Sequence, residues 1–373
     1  MKIGLLTLPI ETGYGSIMQA FALKTALCNR GHEVVLLRRL RKKRKYNIIR
    51  IIRRCVKKFI LGKWDTIIFI DRKELLEYPI VTQNTQKFVD YYMQPYSPKF
   101  FSSKSMVGIS NLNLDAIVVG SDQVWRPGCM DRIEDFFLCP IETLPIKKYA
   151  YAASFGIDEW IYSEKETRNC KRAVQTFDRI SVREKSGVYL CDKYFGKKAD
   201  FVLDPTLLFD KSFYTFLVGG NHDLTKEHKI CAFVLDRTSE KQSILVKLSE
   251  VYNKAYFFAS NNTENRQAHL QDRIAPSVES WLDSFDSADV IFTDSFHGCA
   301  FSIIFRKDFY VYVNNGRGAG RFKSLLGLFG LEHRVVDEKT DIASVFPIDW
   351  EEVEMRLMEM REKSNSFLNS IRL

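Results

Sequence analysis

The first forty residues set the fold class. Lys2-Ile-Gly-Leu-Leu-Thr-Leu8 is a short, nearly continuous apolar run, the pattern of a strand buried on both faces. Gly13-Tyr-Gly15 follows as a turn. A helix is predicted from about Ser16 to Asn29, with Ser16 as N-cap and Gly31 at C′. His32 to Leu37 reads as the next strand. Strand, glycine turn, helix, strand is a right-handed βαβ unit, the building block of doubly wound sheets. The pattern recurs. Strands are predicted at Asp115–Gly120, Lys148–Ser154, Ile180–Val182 and Phe201–Leu203, then at Lys229–Leu235, Ala255–Ser260, Val290–Thr293 and Phe309–Val313. Helices are expected at Glu164–Thr176, Glu240–Val251 and Trp281–Ala288, with another from about Cys299 and a charged closing helix from Trp350 to Ile371. The class is α/β throughout.

At ~100–200 residues per domain, 373 residues argue for two doubly wound, Rossmann-like domains. The expected division is 1–215 and 216–373, with Gly219-Gly220-Asn221 near the join. In such sheets ligands bind beyond the carboxyl ends of the strands, so a cleft between two such domains is where chemistry is expected.

The net charge is +9, but between Arg38 and Lys58 lie 12 basic residues and no acidic one, which leaves the rest of the chain at −3. Basicity confined to one segment argues against a nucleic-acid-binding surface. Within this insertion (about 38–62), a turn of 100° per residue puts Ile48, Ile52, Val56 and Phe59 on one side of a helix over 47–61. Arg50, Arg53, Arg54, Lys57 and Lys58 fall on the other. Such a helix suits an anionic membrane surface, or else packs its apolar stripe on the domain. No apolar run reaches the ~18 residues of a spanning helix. The apolar N-terminus reads as a strand, not a secretory signal. Eight scattered cysteines without a C-x-x-C pair fit a reducing cytoplasm.

Several motifs fall at strand ends. Thr293-Asp-Ser-Phe-His-Gly298 follows a strand and opens a helix, where anions are favoured. His297 there can act as acid or base, or donate to an anion when protonated. Gly316-Arg-Gly-Ala-Gly-Arg321-Phe-Lys323 is a glycine-rich loop with three cations, suited to carboxylate or phosphate. Arg183 in Ser181-Val-Arg-Glu184 holds an anionic ligand or an ordinary ion pair. Asp204, before Pro205, caps a helix or holds a cation. Gly120-Ser121-Asp122-Gln-Val-Trp125 offers polar and aromatic groups to a sugar, with Trp125 a core anchor as the alternative. Gly15 and Ser16 form a candidate anion or acceptor site. Gly13-Tyr-Gly15 lacks the third glycine of a dinucleotide fingerprint, and zinc spacing is absent.

In order along the chain, seven stretches resemble the polysaccharide pyruvyl transferase family. They are Gly13-Tyr-Gly-Ser-Ile-Met-Gln-Ala-Phe-Ala-Leu23, Val119–Trp125, Tyr151-Ala-Ala-Ser-Phe-Gly156, Ser181–Glu184, Leu203-Asp-Pro-Thr-Leu-Leu208, Thr293–Gly298 and the Arg321 loop. The segment 38–110 carries no matching motif. The resemblance implies two Rossmann-like domains in a glycosyltransferase-B-like arrangement. It implies transfer of pyruvate from phosphoenolpyruvate to two sugar hydroxyls, giving a cyclic ketal and phosphate, with no cofactor and no metal. It maps the family's histidine onto His297 and an arginine that grips the donor's anionic groups onto Arg183. Many members carry an arginine where this chain has Ser295, and Arg321, with Lys323, is expected to supply that charge. Ser295 and Gly298 join the donor side. Gly15, Ser16, Ser121, Asp122 and Trp125 form the acceptor side.

The acceptor is expected to be a saccharide, with a lipid-linked form bringing the basic helix to the inner face of the membrane. The chief alternative is a nucleotide-sugar glycosyltransferase of the same fold, which needs a ribose-binding carboxylate such as Glu332 or Asp337. A non-catalytic saccharide- or membrane-binding partner is the third reading.

Overall fold

The computed structural model describes residues 1–10, 13–41, 48–64, 66–220, 222–261, 263, 265, 267–313 and 318–372. Gly316 and Arg317 of the glycine-rich loop, and 42–47 of the basic segment, lie outside the described residues.

The first sheet has seven parallel strands: β1 (Lys2–Leu6), β2 (Glu33–Arg39), β3 (Tyr96–Phe100), β4 (Ala116–Val119), β5 (Lys147–Ala153), β6 (Arg179–Val182) and β7 (Asp200–Phe201). Their order is β3-β2-β1-β4-β5-β6-β7. The second sheet is also parallel: β8 (Ile230–Phe233), β9 (Tyr256–Phe258), β10 (Val290–Thr293) and β11 (Asp308–Val311), in the order β11-β10-β8-β9. Each order reverses once, between β1 and β4 and between β8 and β10. Such a reversal opens a crevice at the strands' carboxyl ends. The registers Leu6↔Val119 and Phe233↔Thr293 bring the two strand ends level at each crevice.

Both faces of both sheets are covered, as parallel sheets require. In the first sheet Leu5 and Val118 face one core, while Leu6, Ile117 and Val119 face another. In the second, Cys231, Phe233 and Ile291 join the core of Leu5, and Ile230, Ala232 and Phe292 form a third. The closing helix Trp350–Asn369 returns to the first sheet. Leu203 N donates to Ser364 Oγ at 2.9 Å, and Arg361 Nε donates to Leu207 O at 2.8 Å.

Three local readings change. The first helix spans Tyr14–Cys28 with Gly13 as N-cap, so Ser16 lies inside the first turn and its hydroxyl is free to reach elsewhere. The helix after β10 starts at Phe296, with Ser295 as N-cap. The basic segment forms a helix Ile48–Cys55 that continues as a π-helical turn, Val56–Ile60, and neither buries a residue. Ile52 and Phe59 are 57% and 60% exposed, which rules out the reading in which the stripe packs on the domain.

Candidate active site

Strand ends of both sheets supply one cleft of about 840 Å3. The loop after β1 brings Tyr14, Gly15 and Ser16. The loop after β4 brings Asp122, Gln123 and Arg126. The loop after β8 brings Val234 to Arg237, and the loop after β10 brings Asp294 to His297, with Arg321 alongside. The helices Tyr14–Cys28 and Phe296–Ile304 both begin at this cleft, and a helix N-terminus favours anions.

A buried charge cluster lies under the cleft. Arg183, at the end of β6, donates from Nη1 to Asp204 Oδ2 at 2.6 Å and from Nη2 to Asp122 Oδ1 at 3.1 Å. Its Nε is 3.5 Å from Glu184 Oε1, and its guanidinium lies over the Phe296 ring at 4.3 Å. Three carboxylates around one cation raise the Arg183 pKa in spite of burial, so it is permanently charged. Asp204 is fully enclosed. Its Oδ1 accepts from the Thr206 amide at 3.0 Å and hydroxyl at 2.7 Å, and Oδ2 accepts from Ser121 Oγ at 2.9 Å. Burial alone would push the Asp204 carboxyl up. His297, Arg183 and Thr206 outweigh it and hold the group well below the usual carboxylate range. Asp122 is likewise buried yet lowered, by Arg183, His297 and the Ser16 hydroxyl, which donates to Oδ2 at 2.7 Å. Asp122 sits at φ 69, a left-handed conformation uncommon for a residue with a side chain and frequent at functional sites.

His297 links this cluster to the cleft. Its Nε2 stands 3.8 Å from Asp204 Oδ2 and has no hydrogen-bond partner among the described residues. Its Nδ1 lies against the first helix. A Cβ built on Gly15 would meet that nitrogen at 2.0 Å, so only glycine lets the ring seat there. Arg321 is the cleft's most enclosed cation. Burial, then repulsion from Arg183, pushes its pKa down to about 10, which leaves it charged at neutral pH.

The structure brings His297, Ser295, Arg321, Gly15, Ser16 and Asp122 to the cleft wall. Arg183, Ser121 and Asp204 lie beneath it, in contact with one another. Other expected site residues fall elsewhere. Trp125 is fully buried, donates from Nε1 to Phe136 O at 3.2 Å and stacks on Phe137, so it is the core anchor. Gly298 faces the core side of its helix, where a Cβ would meet Thr293 Oγ1 at 2.0 Å; it is glycine for close packing, away from the cleft. Lys323 is exposed and outside the cleft lining. Glu332 and Asp337 also lie outside that lining.

Lining residues not singled out from sequence include Gln123, Arg126, Arg237 and Asp294. Gln123 and Asp294 sit inside motifs already quoted, and Arg126 follows one directly. Arg237 has no motif; it lies over the Phe258 ring at 3.7 Å and donates to Ser260 O at 2.9 Å. Asp294 is buried and accepts from Leu235 N at 2.7 Å and Lys241 Nζ at 2.5 Å, which ties the β8 loop to the β10 loop.

The two-sheet frame is that of glycosyltransferase-B enzymes. Among solved structures, a UDP-GlcNAc 2-epimerase from Methanocaldococcus jannaschii, crystallised with UDP-GlcNAc and UDP, matches at TM-score 0.51 and 12% identity, covering 100% of this chain and 99% of its own. Arabidopsis thaliana UGT89C1 matches at TM-score 0.52 and 11% identity, covering 99% of each chain. At such identities the likeness is one of fold. No curated protein sequence matches the chain. The family itself is shown by a sequence model: residues 14–316 match the polysaccharide pyruvyl transferase model, and the chain belongs to that family.

Proposed function

We propose that the chain transfers the pyruvyl group of phosphoenolpyruvate to two hydroxyls of one sugar, forming a cyclic ketal and releasing phosphate. The observation that carries this is the meeting, in one cleft, of His297 backed by Asp204 with the cations Arg126, Arg237 and Arg321. Phosphoenolpyruvate bears a carboxylate and a phosphate, which need cations for both. Arg321 stands near the N-terminus of the Phe296 helix and takes the place of the arginine that Ser295 lacks. Arg183 acts from beneath, as the group that keeps Asp204 ionised and in position.

A proton adds to the methylene carbon, leaving an oxocarbenium-like centre at C2, and a sugar hydroxyl adds there with loss of its proton. Phosphate then leaves C2 as the second hydroxyl oxygen bonds, and that hydroxyl's proton departs with phosphate or to the base. His297 is placed to deliver the first proton or to receive a hydroxyl proton, with Asp204 facing its Nε2 and orienting the ring. Asp122 and Gln123 offer acceptor oxygens to sugar hydroxyls. We assign the acceptor to a lipid-linked saccharide at the inner membrane face, a reading supported by the exposed basic helix 48–60.

The test is a thermal-shift titration with phosphoenolpyruvate beside uridine and guanosine diphosphates. A ligand that binds only the folded state adds about 2.7 kcal/mol at 100-fold its Kd. A shift with phosphoenolpyruvate that Arg321→Met abolishes is expected. A shift with a nucleoside diphosphate alone would favour a sugar-nucleotide donor.

A further inference from the structure

We propose that residues 48–64 and 66–76 form a docking surface for an anionic lipid bilayer. Three observations carry it. First, the apolar side chains of the 48–60 helix point outward. Ile52, Phe59 and Ile60 are 57%, 60% and 75% exposed, and Trp64, whose ring meets Phe59 edge-on with centroids 6.0 Å apart, is 68% exposed. A contiguous patch of this kind marks an interaction surface. Tryptophan beside aliphatic residues is the composition of a membrane interface.

Second, the charge on the 48–60 helix is all positive. Arg53, Lys57 and Lys58 share the helix with that apolar patch, and Arg54 is held by Asp71 at 2.6 Å. A basic amphipathic helix lies in the plane of an anionic interface. A groove of about 560 Å3 continues the surface, lined by Trp64, Phe69 and Leu76 together with Lys58, Arg72 and Lys73, apolar wall and cation side by side. Third, no helix among the described residues is long and apolar enough to cross a membrane, so the contact is one of adsorption.

The surface is joined to the cleft. The helix Ile70–Val81 ends where Ala275 N donates to Val81 O at 2.9 Å, and Glu77 pairs with Arg273. The same 273–276 segment accepts from two cleft residues: Ile274 O from Asn261 at 2.8 Å, and Pro276 O from Tyr14 at 2.9 Å. A bilayer at this surface is therefore one short segment away from the cleft wall.

The test is flotation of the full chain with vesicles of phosphatidylcholine alone and of phosphatidylcholine mixed equally with phosphatidylglycerol. It reads no turnover, so it stands or falls apart from the pyruvyl-transfer reading. The chain is expected to float only with the mixed vesicles and to detach as salt rises. Arg53→Gln/Lys57→Gln/Lys58→Gln should lower the partition by about fivefold per charge. Ile52→Ser/Phe59→Ser/Trp64→Ser, all at exposed positions, should abolish flotation while leaving the melting temperature unchanged. Inorganic phosphate at equal anion concentration should not compete. Wild-type flotation on neutral vesicles, equal flotation by the variants, competition by phosphate, or dimerisation in the absence of lipid that the serine variant removes would each overturn the proposal.

Discussion

Arg183 Nη1 grips the same oxygen of Asp204, at 2.6 Å, that faces His297 Nε2 at 3.8 Å. One carboxylate oxygen thus couples a permanent charge to the cleft's only histidine among the described lining residues. The consequence is a division of labour: Asp204 and Arg183 fix the ring, and His297 meets the substrate. His297→Ala should cut phosphate release by about 10²–10⁴-fold, the range for a lost acid–base group. Asp204→Asn should reduce kcat with little change in the phosphoenolpyruvate-induced thermal shift, since it touches no cleft cation.

Asp204 also sets an acid limb of stability. Its folded carboxyl is held below its unfolded value, so its contribution is complete above the ordinary aspartate range and is lost as pH falls beneath that range. Urea melts of wild type should therefore lose stability below about pH 4 with one proton's slope more than those of Asp204→Asn. Equal slopes would remove the strong Arg183–Asp204 coupling.

Arg183 is the wrong place to look for a donor ligand by deletion. Its guanidinium is enclosed by Asp204, Asp122 and Glu184. Arg183→Ala leaves three buried carboxylates without their cation and should destabilise the fold by about 3–5 kcal/mol. A loss of activity would then follow from unfolding, which a melting curve on the same sample would show.

Gly15→Ala is expected to separate folding from catalysis. The added methyl would collide with His297 Nδ1, and a ring displaced by about 1 Å loses on the order of 10²-fold in rate. The phosphoenolpyruvate thermal shift should survive, because Arg321 and Arg126 are untouched. If phosphate release is unchanged, the ring position is not what the reaction depends on.

Much of this site was legible in sequence because parallel sheets put function at strand ends. Asp122, Arg183, Asp204 and His297 each follow an apolar run of a few residues, and each converges on the same region. What periodicity does not carry is direction. Arg183 reads as a ligand holder or an ordinary ion pair until Asp122 and Asp204, from other loops, are seen to surround it. Trp125 reads as a sugar platform or a core anchor until Phe136 and Phe137 close over it. Arg237 was missed because its only signal is distance from the end of β8. β3 was missed for a different reason. Pro98 lies inside it, a residue that argues against a central strand but is tolerated here because β3 is the sheet's edge. Pro79 hides the helix Ile70–Val81 in the same way. The basic helix was legible as amphipathic, but whether its stripe is covered depends on packing, which the pattern cannot state.

Arg321 offers the sharpest test of the donor site. It is buried beside Arg183, and its lowered pKa of about 10 means that keeping it charged costs folding energy. The sign follows from linkage. A base whose folded pKa lies below its unfolded value destabilises the fold throughout the range where it is protonated in both states, neutral pH included. Arg321→Met, which keeps the length and removes the charge, should therefore raise the stability of the ligand-free protein, by about 1–4 kcal/mol. An anionic ligand should reverse the ranking, since it relieves the repulsion in wild type and finds no partner in the variant. Melting curves of both proteins with and without phosphoenolpyruvate measure all four states. A variant that is less stable when empty, or that still shifts with phosphoenolpyruvate, would remove Arg321 from the donor site and leave Arg126 and Arg237 to carry the anion.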